Sequence, residues 1–316
     1  MANLKELNKR KEVLTGGHRM CAGCGAPIIV RQMGLSQEIP LVVGSATGCL
    51  EVSTTPNPFT AWNCSFVHCA FENSAATVSG AEAAYRSLRR RGKVKEEMRF
   101  VALGGDGGTY DIGLQSLSGM LERGQRILYL CYNNEAYMNT GVQRSSATPR
   151  GTQTTTAPVG KISIGKKQYP KDLTGIAVAH RIPFVATASP SHWNDLITKS
   201  QKALSVDGPA FMNVISPCPL GWAYPSDKTI EIAKLAVDTC FWPLYEVENG
   251  NVWKLSYKPA AKKPITDYLK AQGRFRHLFR PENKPLLDDI QVVTDKLWEE
   301  LLRKESCSSP AAQPKA

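Results

Sequence analysis

Residues 100–141, FVALGGDGGTYDIGLQSLSGMLERGQRILYLCYNNEAYMNTG, restrict the fold more than any other stretch of the chain. An apolar run over 100–103 predicts a buried strand, and a glycine-rich segment follows it. Apolar residues at helical spacing predict a helix over 111–123, and a second strand is predicted over 127–132. Asn133-Asn134-Glu135 come directly after that strand. Oxygen-bearing side chains therefore follow both strands, at the carboxyl ends where open α/β sheets bind ligands.

The alternation of strands and helices continues on both sides of this unit. Further strands are predicted over 40–46, 184–188 and 210–216, with helical patterns between them. Such alternation is typical of an α/β fold with a mostly parallel sheet flanked by helices. Residues 53–69 and 142–170 show no strong period, and loops as long as the second one are usually functional or mobile.

The composition of the chain changes near residue 240. Residues 1–240 are predicted to form the α/β domain. The sequence of 241–305 predicts a hairpin around Asn249-Gly250 and two helices, and this segment is predicted to form a C-terminal appendage that packs on a partner subunit. Residues 306–316, SCSSPAAQPKA, are predicted to be a disordered tail.

Candidate oxygen ligands occur in two segments of the central unit. Gly105-Asp106-Gly107 is separated by 25 residues from Asn133-Asn134. Mg²⁺ prefers such oxygen ligands, and a carboxylate, an amide oxygen and the backbone carbonyl of Ala136 would supply three of them. The neighbouring glycines allow a diphosphate to approach the backbone. The alternative is a glycine turn and an unrelated asparagine pair, but the combined spacing resembles the thiamine diphosphate fingerprint.

Four of the nine cysteines lie in turns rich in glycine or proline. Cys21 and Cys24 form a CxxC pair, Cys49 follows the strand over 40–46, and Cys218 follows the strand over 210–216. Four thiolates suit either a zinc ion or an iron–sulfur cluster, and a CxxC pair also suits redox chemistry. Spacing alone leaves these alternatives open. For the remaining cysteines no role is predicted, except that Cys131 is expected in the core: Cys64, Cys69, Cys131, Cys240 and Cys307.

Charge and hydropathy exclude several classes of protein. The 316 residues carry a formal net charge of +11, which favours acidic partners. No zinc finger or aromatic-interleaved basic stripe indicates nucleic-acid binding. No apolar run approaches the roughly 18 residues of a membrane span, and the N-terminal stretch lacks the apolar core of a signal peptide. A cytoplasmic location is expected.

Six segments together resemble the β subunit of the 2-oxoacid:ferredoxin oxidoreductases, most closely the pyruvate type: GHRMCAGCG, ATGC, GDGGTYDIG, NNEAYMNTGVQRS, ISPCPLGW and QGRFRHL. The resemblance covers residues 16–280. It implies a thiamine diphosphate-binding fold that makes residues 1–240 the cofactor domain. It also implies a [4Fe-4S] cluster on four thiolates and Mg²⁺ on three oxygen ligands. The implied cluster ligands are Cys21, Cys24, Cys49 and Cys218; the implied Mg²⁺ ligands are Asp106, Asn134 and the carbonyl of Ala136.

The resemblance also implies which residues lie beside the cofactor and what the reaction is. Gly105 and Gly107 would contact the diphosphate, with Asn139 and Thr140 near the cofactor and Asn139 beside the thiazolium. The implied reaction is oxidative decarboxylation of a 2-oxoacid, with electrons passed through the cluster to ferredoxin and the acyl group to coenzyme A. Oxalate or a branched-chain 2-oxoacid is an alternative substrate. A thiamine decarboxylase or carboligase with a structural zinc is an alternative from another class, and a metal-binding scaffold is a third.

One residue of the family's chemistry has no counterpart in a matching motif. Thiamine enzymes use a glutamate that hydrogen-bonds the aminopyrimidine, and the nearest candidates here are Glu72 and Glu135. The resemblance implies that this glutamate comes from an α subunit that completes the active site. Further Fe–S clusters would lie on γ and δ subunits or on fused equivalents. The chain would then be inactive alone.

Overall fold

The computed structural model describes residues 3–308, which are built around one eight-stranded sheet. The strands are β1 (Leu41–Ala46), β2 (Ser65–Cys69), β3 (Arg99–Gly105), β4 (Ile127–Asn133), β5 (Phe184–Ala188), β6 (Ala210–Ile215), β7 (Tyr245–Glu248) and β8 (Val252–Leu255). Their order is β2-β1-β3-β4-β6-β5-β7-β8. The first six strands pair in parallel, and β7 and β8 are antiparallel. The predicted fold class, a mostly parallel sheet flanked by helices, is confirmed.

Helices cover both faces of this sheet. In the described region the α-helices are α1 (Leu4–Leu7), α2 (Gly25–Gly34), α3 (Cys49–Thr54), α4 (Ser74–Arg90), α5 (Leu114–Glu122), α6 (Leu173–Ala179), α7 (Trp193–Ser205), α8 (Pro219–Trp222), α9 (Thr229–Asp238), α10 (Ile265–Lys270) and α11 (Lys284–Ser308). One core joins the sheet to α2 and α7, and a second joins it to α4, α5, α6 and α11. No helix among residues 3–308 is long and apolar enough to cross a membrane.

Burial on both faces explains why the central strands are nearly continuous apolar runs. Every residue of β4 and β6 is buried, and so is every residue of β3 except its last. A strand covered by helices on both sides needs apolar residues at successive positions rather than at alternate ones. Strands of this type are readily predicted from sequence, and β5 has the predicted bounds.

The order of the strands places four chain segments side by side. β1, β3, β4 and β6 are consecutive neighbours and run in the same direction. Their carboxyl ends lead into Cys49, Asp106, Asn134 and Cys218, respectively. The predicted thiol and oxygen ligands therefore meet at one edge of the sheet.

The C-terminal segment is continuous with the α/β fold. The predicted hairpin is present as β7 and β8, and β7 pairs with β5, so that the hairpin extends the central sheet. A third core joins α8, α9, α10 and α11 to the end of β6. Helix α11 includes 306–308, which the sequence analysis assigned to the disordered tail, and 309–316 lie outside the described residues. Packing of the segment on a partner subunit stays a prediction.

Two local elements differ from the sequence-based expectations. Strand β2 lies within 53–69, which was expected to be irregular. It is an edge strand with a mostly exposed surface, so it lacks the apolar pattern that marks a strand. The helix expected over 111–123 is preceded by a π-helical turn, Gly107–Ile112, and begins as an α-helix only at Leu114. Such turns often occur at functional sites.

Candidate cofactor site

A pocket opens where β1, β3 and β4 end. Seven of the residues predicted to bind cofactor or metal line it: Cys49, Gly105, Gly107, Asn134, Ala136, Asn139 and Thr140. Asp106 lies between two of these residues in the sequence, Gly105 and Gly107, and is fully buried. Asn139 and Thr140 are exposed, which places them at the rim of the pocket. The structure thus brings together residues that are up to 91 positions apart in the sequence, from Cys49 to Thr140.

Oxygen atoms of Asp106, Asn134 and Ala136 lie close together at this pocket. The side-chain oxygen of Asn134 lies 3.0 Å from Asp106 Oδ1 and 2.8 Å from the carbonyl oxygen of Ala136. Turning the amide over would bring its nitrogen to the same place, where it would donate two hydrogen bonds. With the oxygen inward, the three acceptors repel one another unless a cation lies between them. Mg²⁺ at about 2.1 Å from its ligands holds neighbouring oxygens about 3.0 Å apart in an octahedron, so these residues fit a magnesium ion.

The Asp106 carboxylate is held by two donors. The N–H of Asn134 donates to Oδ1 at 3.1 Å, and the Ser145 hydroxyl donates to Oδ2 at 2.5 Å. Burial raises the pKa of Asp106 to about 7, although the hydrogen bond from Ser145 opposes this rise. A bound cation favours the ionised form, so metal and proton compete for this side chain. Ser145 ends the segment NNEAYMNTGVQRS, but no role was predicted for it from the sequence.

Two glycines in the turn after β3 are required by close packing. A Cβ on Gly107 would lie 2.5 Å from the ring of Tyr137, and a Cβ on Gly108 would lie 2.8 Å from the carbonyl oxygen of Phe71. The Tyr137 hydroxyl donates to Asp111 Oδ2 at 3.0 Å, which limits movement of its ring. A larger residue at either glycine would displace the backbone on which a diphosphate would rest.

The four predicted cluster thiols are near one another. A negative charge on one thiol raises the pKa of the other in every pair formed by Cys21, Cys24, Cys49 and Cys218. Burial is the larger cause, and it raises the pKa to about 12 for Cys24 and about 11 for Cys49. Thiolates in such a setting need positive charge nearby, which metal ions supply. Within residues 3–308 no three His, Cys, Asp or Glu side chains are grouped as ligands of a single metal ion.

Hydrogen bonds join the loops that carry these thiols. The N–H of Gly25 donates to the carbonyl oxygen of Pro217 at 3.1 Å, which links the CxxC loop to the Cys218 loop. The Thr229 hydroxyl donates to the carbonyl oxygen of Gly23. Cys218 Sγ accepts the N–H of Gly221 at 3.3 Å. These contacts hold the loops that carry Cys21, Cys24 and Cys218 in place.

Neither glutamate considered in the sequence analysis lines the pocket. Glu72 is exposed. Glu135 is buried and pairs with Arg274, from the QGRFRHL segment. Burial raises the pKa of Glu135, and the Arg274 guanidinium opposes that rise. Burial and the ion pair with Arg274 therefore keep the Glu135 carboxylate from a ligand in the pocket.

None of the remaining cysteines is among the residues that line the pocket. Cys131 is buried in the second core, as predicted. Cys64 packs against the first core, Cys69 and Cys240 are buried, and Cys307 is exposed. Burial raises the pKa of Cys64 to about 12, which disfavours its thiolate.

Comparison with known proteins agrees with this geometry. Residues 43–214 match the family described as thiamine pyrophosphate enzyme, C-terminal TPP binding domain. Pyruvate synthase subunit PorB of Thermotoga maritima is 53% identical over 307 residues, which cover 95% of this chain and 94% of that subunit. The chain belongs to the β subunits of the 2-oxoacid:ferredoxin oxidoreductases. It is thus a subunit of an oxidoreductase that acts on 2-oxoacids with thiamine diphosphate.

Other proteins similar to this β subunit differ in the substrate that they are named for. Pyruvate synthase subunit PorB of Methanocaldococcus jannaschii is 53% identical over 271 residues, covering 85% of this chain and 91% of that one. Ketoisovalerate oxidoreductase subunit VorB of Pyrococcus abyssi is 43% identical over 292 residues, covering 92% and 91%. The solved 2-oxoglutarate:ferredoxin oxidoreductase from Magnetococcus marinus aligns with a TM-score of 0.58 at 19% identity, covering 90% of this chain and 96% of that one. At that identity the last match supports the fold alone.

Proposed function

We propose that this β subunit belongs to a complex that carries out the oxidative decarboxylation of a 2-oxoacid, of the pyruvate type, in the cytoplasm. Electrons would pass through a [4Fe-4S] cluster to ferredoxin, and the acyl group would pass to coenzyme A. The observation that carries the proposal is the pocket itself, in which Cys49 from one strand end lies beside Asn134 and Ala136 from another. A redox centre and a diphosphate site would therefore be neighbours.

The diphosphate end of the cofactor would be bound through a magnesium ion. Asp106, Asn134 and the carbonyl of Ala136 would hold Mg²⁺, since their oxygens already lie 2.8 and 3.0 Å apart. Gly105 and Gly107 would lie against the diphosphate. Thiamine diphosphate supplies the nucleophilic carbon and the electron sink when it is bound. The protein supplies its orientation.

The four thiols would bind the cluster, which supplies a one-electron acceptor when present. The chain's contribution is to bury three of the thiols partly and to donate hydrogen bonds to them. The Gly221 N–H already donates to Cys218 Sγ, and such bonds to sulfur tune the potential of a cluster. A structural zinc on the same residues is the alternative from another class, and it would leave a decarboxylase or carboligase without an electron acceptor.

The rest of the active site would come from other chains. Among the residues that line the pocket in the described part of the chain, none is an aspartate or glutamate. We therefore place the activating glutamate on an α subunit, as the family resemblance implies. Relatives are named as subunits, which supports an assembly of several chains. In that assembly, further Fe–S clusters would lie on γ, δ or fused subunits, as the family resemblance implies.

Iron, sulfide and spectroscopy test the cluster. The complex is purified without oxygen, its iron and acid-labile sulfide are measured, and EPR spectra are recorded before and after reduction. Four iron atoms and four sulfides per β subunit, beyond those of the other subunits, are expected. Zinc without iron at these thiols would refute the cluster and favour the alternative.

Substitution of Asp106 tests the cofactor site. Asp106→Ala should abolish Mg²⁺-dependent binding of thiamine diphosphate, measured by calorimetry on the cofactor-free complex. Unchanged binding would contradict the magnesium assignment.

A substrate panel tests the reaction. Pyruvate, 2-oxoglutarate, oxalate and branched-chain 2-oxoacids are compared with and without coenzyme A, with ferredoxin as acceptor. The match to a ketoisovalerate enzyme makes the branched-chain substrates the main alternative. A higher kcat/KM for any of them than for pyruvate would overturn the pyruvate assignment.

A further inference from the structure

The backbone between two of the proposed cation ligands has an unusual conformation. Glu135 lies between Asn134 and Ala136, and its φ is 63°. This left-handed conformation is unfavourable for a residue with a side chain, and it persists only where surrounding contacts fix it. It also brings the Asn134 side chain and the Ala136 carbonyl oxygen within 2.8 Å of each other.

Two contacts hold the peptide groups of Glu135. Its N–H donates to Asn133 Oδ1 at 3.0 Å, and its carbonyl oxygen accepts the Thr148 hydroxyl at 2.6 Å. Its carboxylate is directed elsewhere and is only 2% exposed. A buried carboxylate needs a cationic partner, because burial strongly disfavours an isolated charge.

The partner is Arg274, in the 3₁₀-helical segment Gly273–Phe279. Its Nη2 donates to Glu135 Oε2, and its side chain is 3% exposed. Its Nε donates to Gln272 Oε1 at 2.9 Å, and the guanidinium carbon lies 3.9 Å from the centre of the Trp222 ring. Arg274 thus uses its charge, its several donors and its flat face at once, which a lysine could not do.

Trp222 connects the same arginine to the other side of the loop. Its indole N–H donates to the carbonyl oxygen of Asn134 at 2.8 Å. Arg274 therefore contacts Glu135 directly and Asn134 through Trp222. The segment QGRFRHL, which the sequence analysis singled out without giving it a role, lies against the backbone that carries the proposed ligands.

We propose that Arg274 is a positioning residue for the cation site. It fixes Glu135, and through Trp222 it fixes Asn134, so that the oxygens of Asn134 and Ala136 keep the spacing that Mg²⁺ requires. This inference rests on the proposed function of the site as a clamp for Mg²⁺ and a diphosphate. Removal of outer-shell partners of metal ligands typically weakens metal binding by roughly 10- to 100-fold.

The choice between two cations distinguishes positioning from a general structural role. Mg²⁺ demands a nearly ideal octahedron, whereas Ca²⁺ accepts flexible geometry. In the cofactor-free complex, binding of thiamine diphosphate is titrated with each cation by calorimetry. Arg274→Met should weaken Mg²⁺-dependent binding by roughly 10-fold or more and Ca²⁺-dependent binding by less. The selectivity for Mg²⁺ over Ca²⁺ should therefore fall. Arg274→Lys should recover part of the lost affinity, because lysine restores the charge but neither the planar set of N–H donors nor the stacking on Trp222.

The neighbouring arginine of the same segment provides a matched control. Arg276 is exposed and makes no ion pair within residues 3–308. Arg276→Met removes the same charge from the same segment and should leave both cation affinities unchanged. An equal loss in Arg276→Met and Arg274→Met would overturn the proposal, since net charge would then explain it.

A variant without either charge keeps the test valid if Arg274→Met does not fold. Glu135→Gln with Arg274→Met removes both buried charges, and such paired removal is often tolerated. This double variant should also lose Mg²⁺ affinity and selectivity. Wild-type values of both in a folded double variant would overturn the positioning role.

Asp106→Ala separates this inference from the proposed function. Retained Mg²⁺ affinity in Asp106→Ala would mean that the cation site itself is wrong. Loss of affinity there, together with wild-type behaviour in the Arg274 variants, would refute only the positioning role.

Discussion

Replacing Tyr132 with phenylalanine should have opposite effects on the cofactor-free and cofactor-bound protein. Tyr132 ends the apolar part of β4 opposite Gly105, and its side chain is 1% exposed. Its hydroxyl lies 3.0 Å from the position of a Cβ on Gly48, next to Cys49, and has no hydrogen-bond partner within residues 3–308. The residue lines the cofactor pocket. Because a buried hydroxyl needs a partner, we expect a group bound in the pocket to supply it.

The magnitude follows from the cost of an unpaired polar group. A buried donor without a partner costs about 1–3 kcal/mol, so Tyr132→Phe removes that cost and loses no hydrogen bond when the pocket has no ligand. A net stabilisation of about 1 kcal/mol is expected, which corresponds to a rise of about 2 °C in the unfolding midpoint for a chain of this size. With cofactors bound, the variant instead loses a hydrogen bond of about 1 kcal/mol.

Differential scanning calorimetry of the complex, with and without Mg²⁺ and thiamine diphosphate, measures both effects. The cofactors should raise the midpoint less in Tyr132→Phe than in the wild type, because they no longer satisfy the hydroxyl. Equal destabilisation of both states would refute the reasoning, since it would mean that the hydroxyl already has a partner in the protein.

Three further substitutions test other parts of the site and fold. Cys49→Ser should lower the iron content and change the EPR spectrum while Mg²⁺-dependent thiamine diphosphate binding persists; an unchanged spectrum would contradict the cluster assignment. Gly107→Ala should destabilise the chain by about 1–3 kcal/mol in urea unfolding, because its Cβ would lie 2.5 Å from the Tyr137 ring, and wild-type stability would show that the ring moves freely. Burial would raise the pKa of Asp238, but hydrogen bonds from lysines, including Lys263 at 3.1 Å, lower it overall. The ion pairs of the Asp238 carboxylate stabilise the fold at pH values above the ordinary pKa of this group, and that stabilisation is lost as the pH falls below it. Asp238→Asn should therefore lower the free energy of unfolding by about 1 kcal/mol from pH 5 to 8 and by less below pH 4. A loss of stability that does not change with pH would contradict this.

Most of the fold could be predicted because its central strands are buried on both faces. Strand β5 has the predicted bounds, and β3 and β4 are each within two residues of theirs. The prediction failed for β2, which pairs only with β1 and exposes most of its residues. Without burial, selection for apolar residues is weak, and no periodicity marks such a strand.

Four of the predicted ligands are marked in the sequence because they come after buried strands: Cys49, Asp106, Asn134 and Cys218 follow β1, β3, β4 and β6. Residues that support those ligands could not be found in the same way. Ser145 donates to Asp106 across 39 positions, and Arg274 donates to Glu135 across 139. Only the tertiary fold sets these separations, and neither a loop serine nor an arginine in a short segment has a local pattern that gives its partner.

The conformation of Glu135 decides between two interpretations of the missing glutamate. The sequence offered Glu135 as a candidate for the residue that hydrogen-bonds the aminopyrimidine. Its φ of 63° and its ion pair with Arg274 direct the carboxylate into the protein, where it is 2% exposed. Moving it into the pocket would leave the Arg274 guanidinium buried and unpaired, at a cost of about 3–5 kcal/mol. Because that cost exceeds the roughly 1–3 kcal/mol of a single charged hydrogen bond, Glu135 cannot serve the cofactor without disrupting its own loop. The same arginine that orders the cation site thus commits this glutamate to structure, which supports a second subunit as the source of the activating carboxylate.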